Sequence, residues 1–232
     1  KQLTDIPALE WLEKYAGKEV TEVLWKPLLK GKFDKYHDKI TMCWLWGRIK
    51  QRADSQDISL GGEALGYVEG GFQIIINALL SKIEKKVKFK MNTPVSKIYF
   101  NNESENIVLE ADNAKTEYNK ILLTVPSKIA SKILAPYKNE SYFQKLNSID
   151  YLDAVVLVFA TEQKISKYYW HNINSKNSPF VVFIGLTNLI GNKNFNGKNV
   201  YYIGDYVPRD HQYIDLSEDE LKEYWFDQLK LI

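Results

Sequence analysis

Two adjacent glycines, Gly70 and Gly71, run straight into a segment whose apolar residues recur at helical spacing. Phe72, Ile75, Ile76, Leu79, Leu80 and Ile83 fall at i, i+3, i+4, i+7, i+8 and i+11, which predicts a helix with one apolar stripe. Residues without a side chain let the backbone approach a flat partner closely, and a helix N-terminus offers unpaired N–H groups and positive potential. Taken alone, the pair equally makes a tight loop-to-helix turn. Beyond the helix the hydrophobic period changes to two. Val87, Phe89 and Met91 alternate with lysines and predict a short strand. Residues 95–100, 107–111 and 121–125 predict three more, and the polar connections between them suit an antiparallel meander. Thr93-Pro94-Val95 opens one of these strands, where a proline costs no ladder bond. Thr124-Val125-Pro126 ends another and leads into a helix over 127–134, stopped near Pro136. A further helix is expected over 141–147.

The segment ahead of the glycines reads as helical. Asp5-Ile6-Pro7 starts a helix with Leu9, Leu12 and Tyr15 on one face and Gly17 as its stop. A second helix begins near Thr21 and is interrupted by Pro27. Residues 38–52 predict a helix apolar on nearly every side, through Ile40, Met42, Cys43, Trp44, Leu45, Trp46 and Ile49, as expected of one enclosed by protein or touching lipid. In the last third, residues 154–160 are continuously apolar, as in a strand buried on both faces. Residues 180–186 and 200–206 resemble it, separated by an asparagine- and glycine-rich loop over 188–199. Ser217-x-x-Glu220 is a capping box, followed by Leu221, Tyr224, Trp225, Leu229 and Ile232 at helical spacing. Both ends of the sequence read as cut.

At 232 residues, 45% hydrophobic and 26% charged, the chain is of the soluble globular class. The net charge of +2, from 31 basic and 29 acidic residues interspersed along the chain, argues against nucleic acid as the main partner. A lone cysteine, Cys43, excludes an internal disulfide and fits a reducing compartment, so a cytoplasmic location and a buried, structural thiol are expected. His37, His171 and His211 are scattered without metal spacing, so no metal site is expected. His211 beside Asp210 reads as a surface pair in a loop. No G-x-S-x-G is present. Arg48 and Arg52 share a helical face, where they either hold an acidic substrate or bridge to carboxylates.

The glycine pair heading a helix, then Asn92-Thr93-Pro94-Val95, a meander, and Leu122-Leu123-Thr124-Val125-Pro126, together resemble the flavin-containing amine oxidase and protoporphyrinogen oxidase superfamily. Trp25-x-Pro27-Leu28-Leu29 and Trp44-Leu45-Trp46-Gly47-Arg48-Ile49 resemble that family's helical segment, and Tyr168-Tyr169-Trp170-His171-Asn172-Ile173 with Pro179-Phe180 and Thr187-Asn188 its substrate-domain strands. The resemblance implies an α+β fold: a mixed β-sheet substrate domain with helices on one side, plus a small antiparallel β-meander of the FAD domain. It implies a division into a helical part (1–87), an incomplete FAD-domain part (88–126) and a substrate-domain sheet (127–232). It implies FAD as cofactor, with Gly70, Gly71, Val95, Thr124, Val125 and Pro126 against it. Phe72, Gln73, Tyr169, Trp170 and Asn172 are the implied substrate contacts.

The phosphate-gripping G-x-G-x-x-G does not occur in this sequence; Gly61-Gly62-x-x-x-Gly66 has the wrong spacing, and Gly204-Asp205 reads as a strand end. The expectation is therefore a large piece of an FAD-dependent oxidoreductase that acts on a small molecule and does not bind FAD tightly by itself. Without its dinucleotide-binding neighbour, the meander leaves apolar area open and allows an oligomer. The alternative is a non-catalytic module for an apolar or prenyl ligand or a membrane surface, with Trp25, Trp44 and Trp46 among Lys26, Lys30, Lys32 and Lys50 as an interfacial patch.

Overall fold

A computed structural model describes residues 3–57, 62–63, 65–134, 137, 140–173, 175 and 178–230. The chain forms two compact units, one of residues 1–67 with 151–232 and one of residues 68–150. The glycine-headed helix and the two helices after the meander thus group with the meander, where the sequence divides at 87/88 and 126/127.

The first unit begins with α1 (Ala8–Ala16), which Gly17 ends at φ 90°. A short α2 (Lys18–Val20) runs through a π-helical turn (Thr21–Trp25) into α3 (Lys26–Phe33). Pro27 sits in the first turn of α3, where its missing N–H costs no helical bond. The proline therefore joins two helical stretches where an interruption is expected. Asp34, at φ 44°, turns the chain into α4 (Met42–Asp54) and the two-residue pair β1 (Gln56–Asp57) and β2 (Gly62–Glu63). Ala8, Leu12, Leu29, Met42 and Leu45 form the core of this helical part. On α4 only Met42 and Leu45 are buried, and Cys43 is exposed, which corrects the buried thiol. At about 100° per residue, position 43 points away from the stripe that packs on α1.

In the second unit, α5 (Gln73–Ile83) follows the glycine pair as expected, yet all its residues are exposed. Ile74 adds a further apolar side chain outside the stripe, and nothing within the unit buries the helix. The meander is β3 (Val95–Asn101), β4 (Asn106–Ala111) and β5 (Ala114–Tyr118), in that spatial order. Its third strand differs from the expected residues 121–125, which belong to no strand. Asp112 and Asn113, at φ 49° and 60°, make a two-residue hairpin turn that brings a polar strand back onto β4. Lys115 and Glu110 then face each other at 3.2 Å. The apolar run 121–123 outweighs that turn in a hydrophobicity pattern, which is why the strand is misplaced. The strand expected at 87–91 is likewise absent. α6 (Ser127–Ile133) and α7 (Ser141–Asn147) complete the unit; Pro136 lies outside the described residues.

The first unit resumes with β6 (Leu152–Thr161), β7 (Trp170–Asn172), β8 (Val182–Gly185), α8 (Leu186–Ile190), β9 (Asn199–Pro208) and α9 (Glu218–Leu229). The four strands lie in the order β6-β9-β8-β7, every pair antiparallel where a mixed sheet is expected, within the expected α+β class. Part of the expected 188–199 loop is α8. One sheet face packs Leu157, Phe183, Tyr201, Ile203 and Val207 against Leu221 and Trp225 of α9. That helix carries the expected box, Ser217 Oγ accepting from Glu220 N and Glu220 accepting from Ser217 N; Ile232 lies outside the described residues. The opposite face is open. Val156 and Val158 of β6 are each 53% exposed, so the continuous apolar run is buried on one side only.

Candidate functional site

The open sheet face collects part of what the sequence assigns to a substrate. Directly paired residues of antiparallel strands share a face. Trp170, Ile184, Tyr202 and Val158 therefore form one row across the sheet, and Asn172, Val182, Gly204 and Val156 the next. Trp170 Nε1 donates to Asn172 Oδ1 at 3.0 Å, tying two of the expected contacts together on this face. Tyr169, the third, lies just before β7, and its carbonyl accepts from Gly185 N at 2.8 Å.

The approach to Trp170 is fixed by side chains that are not among the expected substrate contacts. Asn188 Nδ2 donates to the carbonyls of Ser166 (2.9 Å) and Tyr168 (2.7 Å). His171 Nδ1 lies 3.1 Å from the Phe183 carbonyl, so its N–H donates there and Nε2 accepts from the Ser166 hydroxyl at 2.7 Å. Ser166 Oγ in turn accepts from Tyr168 N. The loop before β7 is thus held by three side chains. Gly185 belongs to the same device, since a Cβ there would lie 2.9 Å from the Tyr168 carbonyl oxygen and collide with Asn188.

Asp205 occupies β9 on the core side, between Gly204 and Tyr206. Burial pushes its carboxyl up to about 6 from an ordinary 3.8; the nearby Asp34 adds to this and the bond from Tyr206 N opposes it. Tyr213, also buried, donates to the Pro179 carbonyl at 3.0 Å and is pushed up to about 12 by burial. Because the folded Asp205 value lies above the unfolded one, the folded state binds more protons between them. Its contribution is most favourable below about pH 4 and is lost as pH rises through about 6. Asp205→Asn, which keeps an acceptor for Tyr206 N, is expected to raise stability near neutral pH by on the order of 1 kcal/mol after allowance for solvent screening. Urea unfolding at several pH values checks this; an unchanged pH profile in the variant would refute it.

In the second unit Gly70 and Gly71 take φ 81° and 87°, and Gly71 N donates to the Val68 carbonyl. A Cβ on Gly70 would collide with Ile74, whereas the space beside Gly71 is open. Phe72 is the N-cap of α5 and provides no side-chain cap bond, and Gln73 Nε2 donates to Asn77 on the same exposed helix. Val95 begins β3, an edge strand, directly before a register irregularity. Thr124, Val125 and Pro126 are exposed, and the Pro126 carbonyl receives the first bonds of α6. An apolar cavity of about 260 Å³ beside the meander, bounded by Phe100, Ile121, Leu123, Leu134 and Tyr137, touches none of the expected site residues.

Other candidates resolve structurally. Arg48 donates to Gln51 and lies over Trp44, and bridges to no carboxylate among the described residues. His211 accepts from Tyr213 N and packs on its ring, rather than pairing with Asp210. Trp25 and Trp44 pack on the helical core and Trp46 is half exposed, so one of the three patch tryptophans is on the surface. No group of metal-binding side chains occurs among the described residues, and no described helix is long and apolar enough to cross a membrane.

The family model described as flavin containing amine oxidoreductase matches residues 1–232. No curated protein matches the chain. Among solved structures, a protein assigned as a protoporphyrinogen oxidase from Exiguobacterium sp. 255-15 is similar at TM-score 0.69 and 15% identity, over 96% of this chain and 51% of that one. An oxidoreductase from Methanosarcina mazei gives 0.69 and 15%, over 97% and 52%. A Pyrococcus furiosus protein gives 0.63 and 18%, over 97% and 54%. The chain spans about half the length of the solved structures it matches.

Proposed function

Because the chain belongs to the flavin containing amine oxidoreductase family, we propose that it serves as the substrate-binding part of an FAD-dependent oxidoreductase. The reaction is oxidation of a C–N or C–C bond in a small organic molecule, with the hydride leaving a substrate carbon. FAD, when bound, supplies the hydride acceptor. Gly70, Gly71, Val95, Thr124, Val125 and Pro126 are the residues of this chain proposed to lie against it. Their fit is one of kind: left-handed glycine backbone at an open turn, an edge strand beginning at Val95, and an exposed turn leading into α6.

The observation that carries the substrate reading is the open face holding Trp170, Asn172, Tyr202, Val156 and Val158. An apolar wall with a single amide and no nucleophile suits chemistry in which the protein orients a substrate and excludes water. The cytoplasmic location and the absence of a nucleic-acid partner belong to this same proposal.

The test compares this chain with a polypeptide extended by the adjoining coding sequence, each purified with added FAD. The extended protein is expected to retain flavin stoichiometrically, visible as its yellow absorbance, and the 232-residue chain to lose it on gel filtration. A colourless extended protein, or an adjoining sequence without G-x-G-x-x-G, would defeat the proposal.

A further inference from the structure

We propose that the open face of the four-stranded sheet binds an apolar molecule bearing a single carboxylate, and that Lys32 is the residue that takes the carboxylate. This rests on reading that face as the substrate side, and it specifies the class of molecule.

Three features of the face set the shape of the ligand. Along β9, Tyr202, Gly204 and Tyr206 alternate onto it, so the surface steps down at Gly204 between two rings. A Cβ on Gly204 would meet Val182 Cγ1 at 3.4 Å and Val156 Cγ2 at 3.5 Å, so these two valines wall the step on either side. Val156, Val158, Trp170 and Tyr206 are all exposed there. Strands spaced about 4.8 Å apart put Asn172 on the order of 10 Å from Gly204, which sets the length of the apolar body.

The charge comes from α3. Lys32 Nζ stands 5.0 Å from the centroid of the Tyr206 ring, at one end of the step. Lys32 is half-buried, and among the described residues it makes no ion pair. The ring face satisfies part of the ammonium's field but accepts no conventional hydrogen bond, so its N–H donors remain for an anion. An ammonium held at an apolar surface with no ion-pair partner favours a ligand that brings a counter-charge. One ammonium beside an apolar surface matches one carboxylate. Asp205 sits on the other side of β9 and does not present its carboxyl to this face.

The experiment titrates the 232-residue chain with 2-naphthoate and with its neutral analogue 2-naphthylmethanol, by calorimetry and by methyl NMR. The acid is expected to bind about fivefold or more tightly than the alcohol, as a charge-assisted contact provides. Shifts should fall on the Val156 and Val158 methyls. Lys32→Met is expected to abolish the preference while leaving the alcohol's affinity within about twofold, and Lys32→Arg to retain it. Equal binding of the two probes, a preference that survives Lys32→Met, or shifts confined to Gln73–Ile83 would each overturn the proposal. A colourless extended protein would defeat the flavin reading and leave this preference intact, so the two failures are separable.

Discussion

Replacing Trp225 with alanine is expected to destabilise the sheet-containing unit by about 3–5 kcal/mol, the usual cost of removing a buried indole. Trp225 is 0% exposed and meets Phe180 and Tyr213 edge-on, with ring centroids at 5.8 and 5.5 Å. It is the largest fully buried side chain and the plug between α9 and the β9 layer of Tyr201, Ile203 and Val207. Loss of it opens a cavity that rigid strands cannot close. Because α9 is also held by its capping box, its helicity should survive in part while the tertiary packing is lost. Chemical unfolding followed by near- and far-ultraviolet circular dichroism separates the two. A change below about 1 kcal/mol would mean that α9 does not pack on this sheet in solution.

Gly185→Ala is expected to cost about 2–4 kcal/mol, large for a single methyl group, by adding overpacking to lost hydrogen bonds. The new Cβ would lie 2.9 Å from the Tyr168 carbonyl oxygen and drive out the Asn188 amide that clamps Ser166 and Tyr168. Asn188→Ala alone should cost about 1–2 kcal/mol, because it leaves two carbonyls without that donor. In the double variant the obstacle is already gone, so the two effects should fall short of additivity. Full additivity in urea unfolding would show that the clamp is not what Gly185 accommodates. The same substitution should weaken 2-naphthoate binding, since Trp170 is reached through this loop.

Much of the helical architecture is legible in the residues alone. Gly17 ends α1, the Ser217–Glu220 box starts α9, and α5 follows the glycine pair, each at a local chemical signal. The strands of the sheet were legible as apolar runs, but their burial was not. Val156 and Val158 read like core residues, yet only Leu157 and its alternates face α9. The meander's last strand escaped detection because Asp112-Asn113 is a polar hairpin turn and Ala114–Tyr118 carries little apolar pattern. Of the candidate site, Trp170 and Asn172 were legible through family resemblance; the clamp of Asn188, Ser166 and His171 was not. Its members are twenty-two residues apart at most, and nothing in a linear pattern brings them together.

Local chemistry in the chain carries the family resemblance, several helix starts and stops and the apolar runs of the large sheet, because caps, prolines and periodicity act over a few residues. Which face of the sheet stays open, that Lys32 stands beside Tyr206, and that Asp205 is pressed into a site that disfavours its charge emerge only once the chain is folded. Those outcomes depend on burial and pairing between residues far apart in the chain, where desolvation and register, rather than local preference, set the energy.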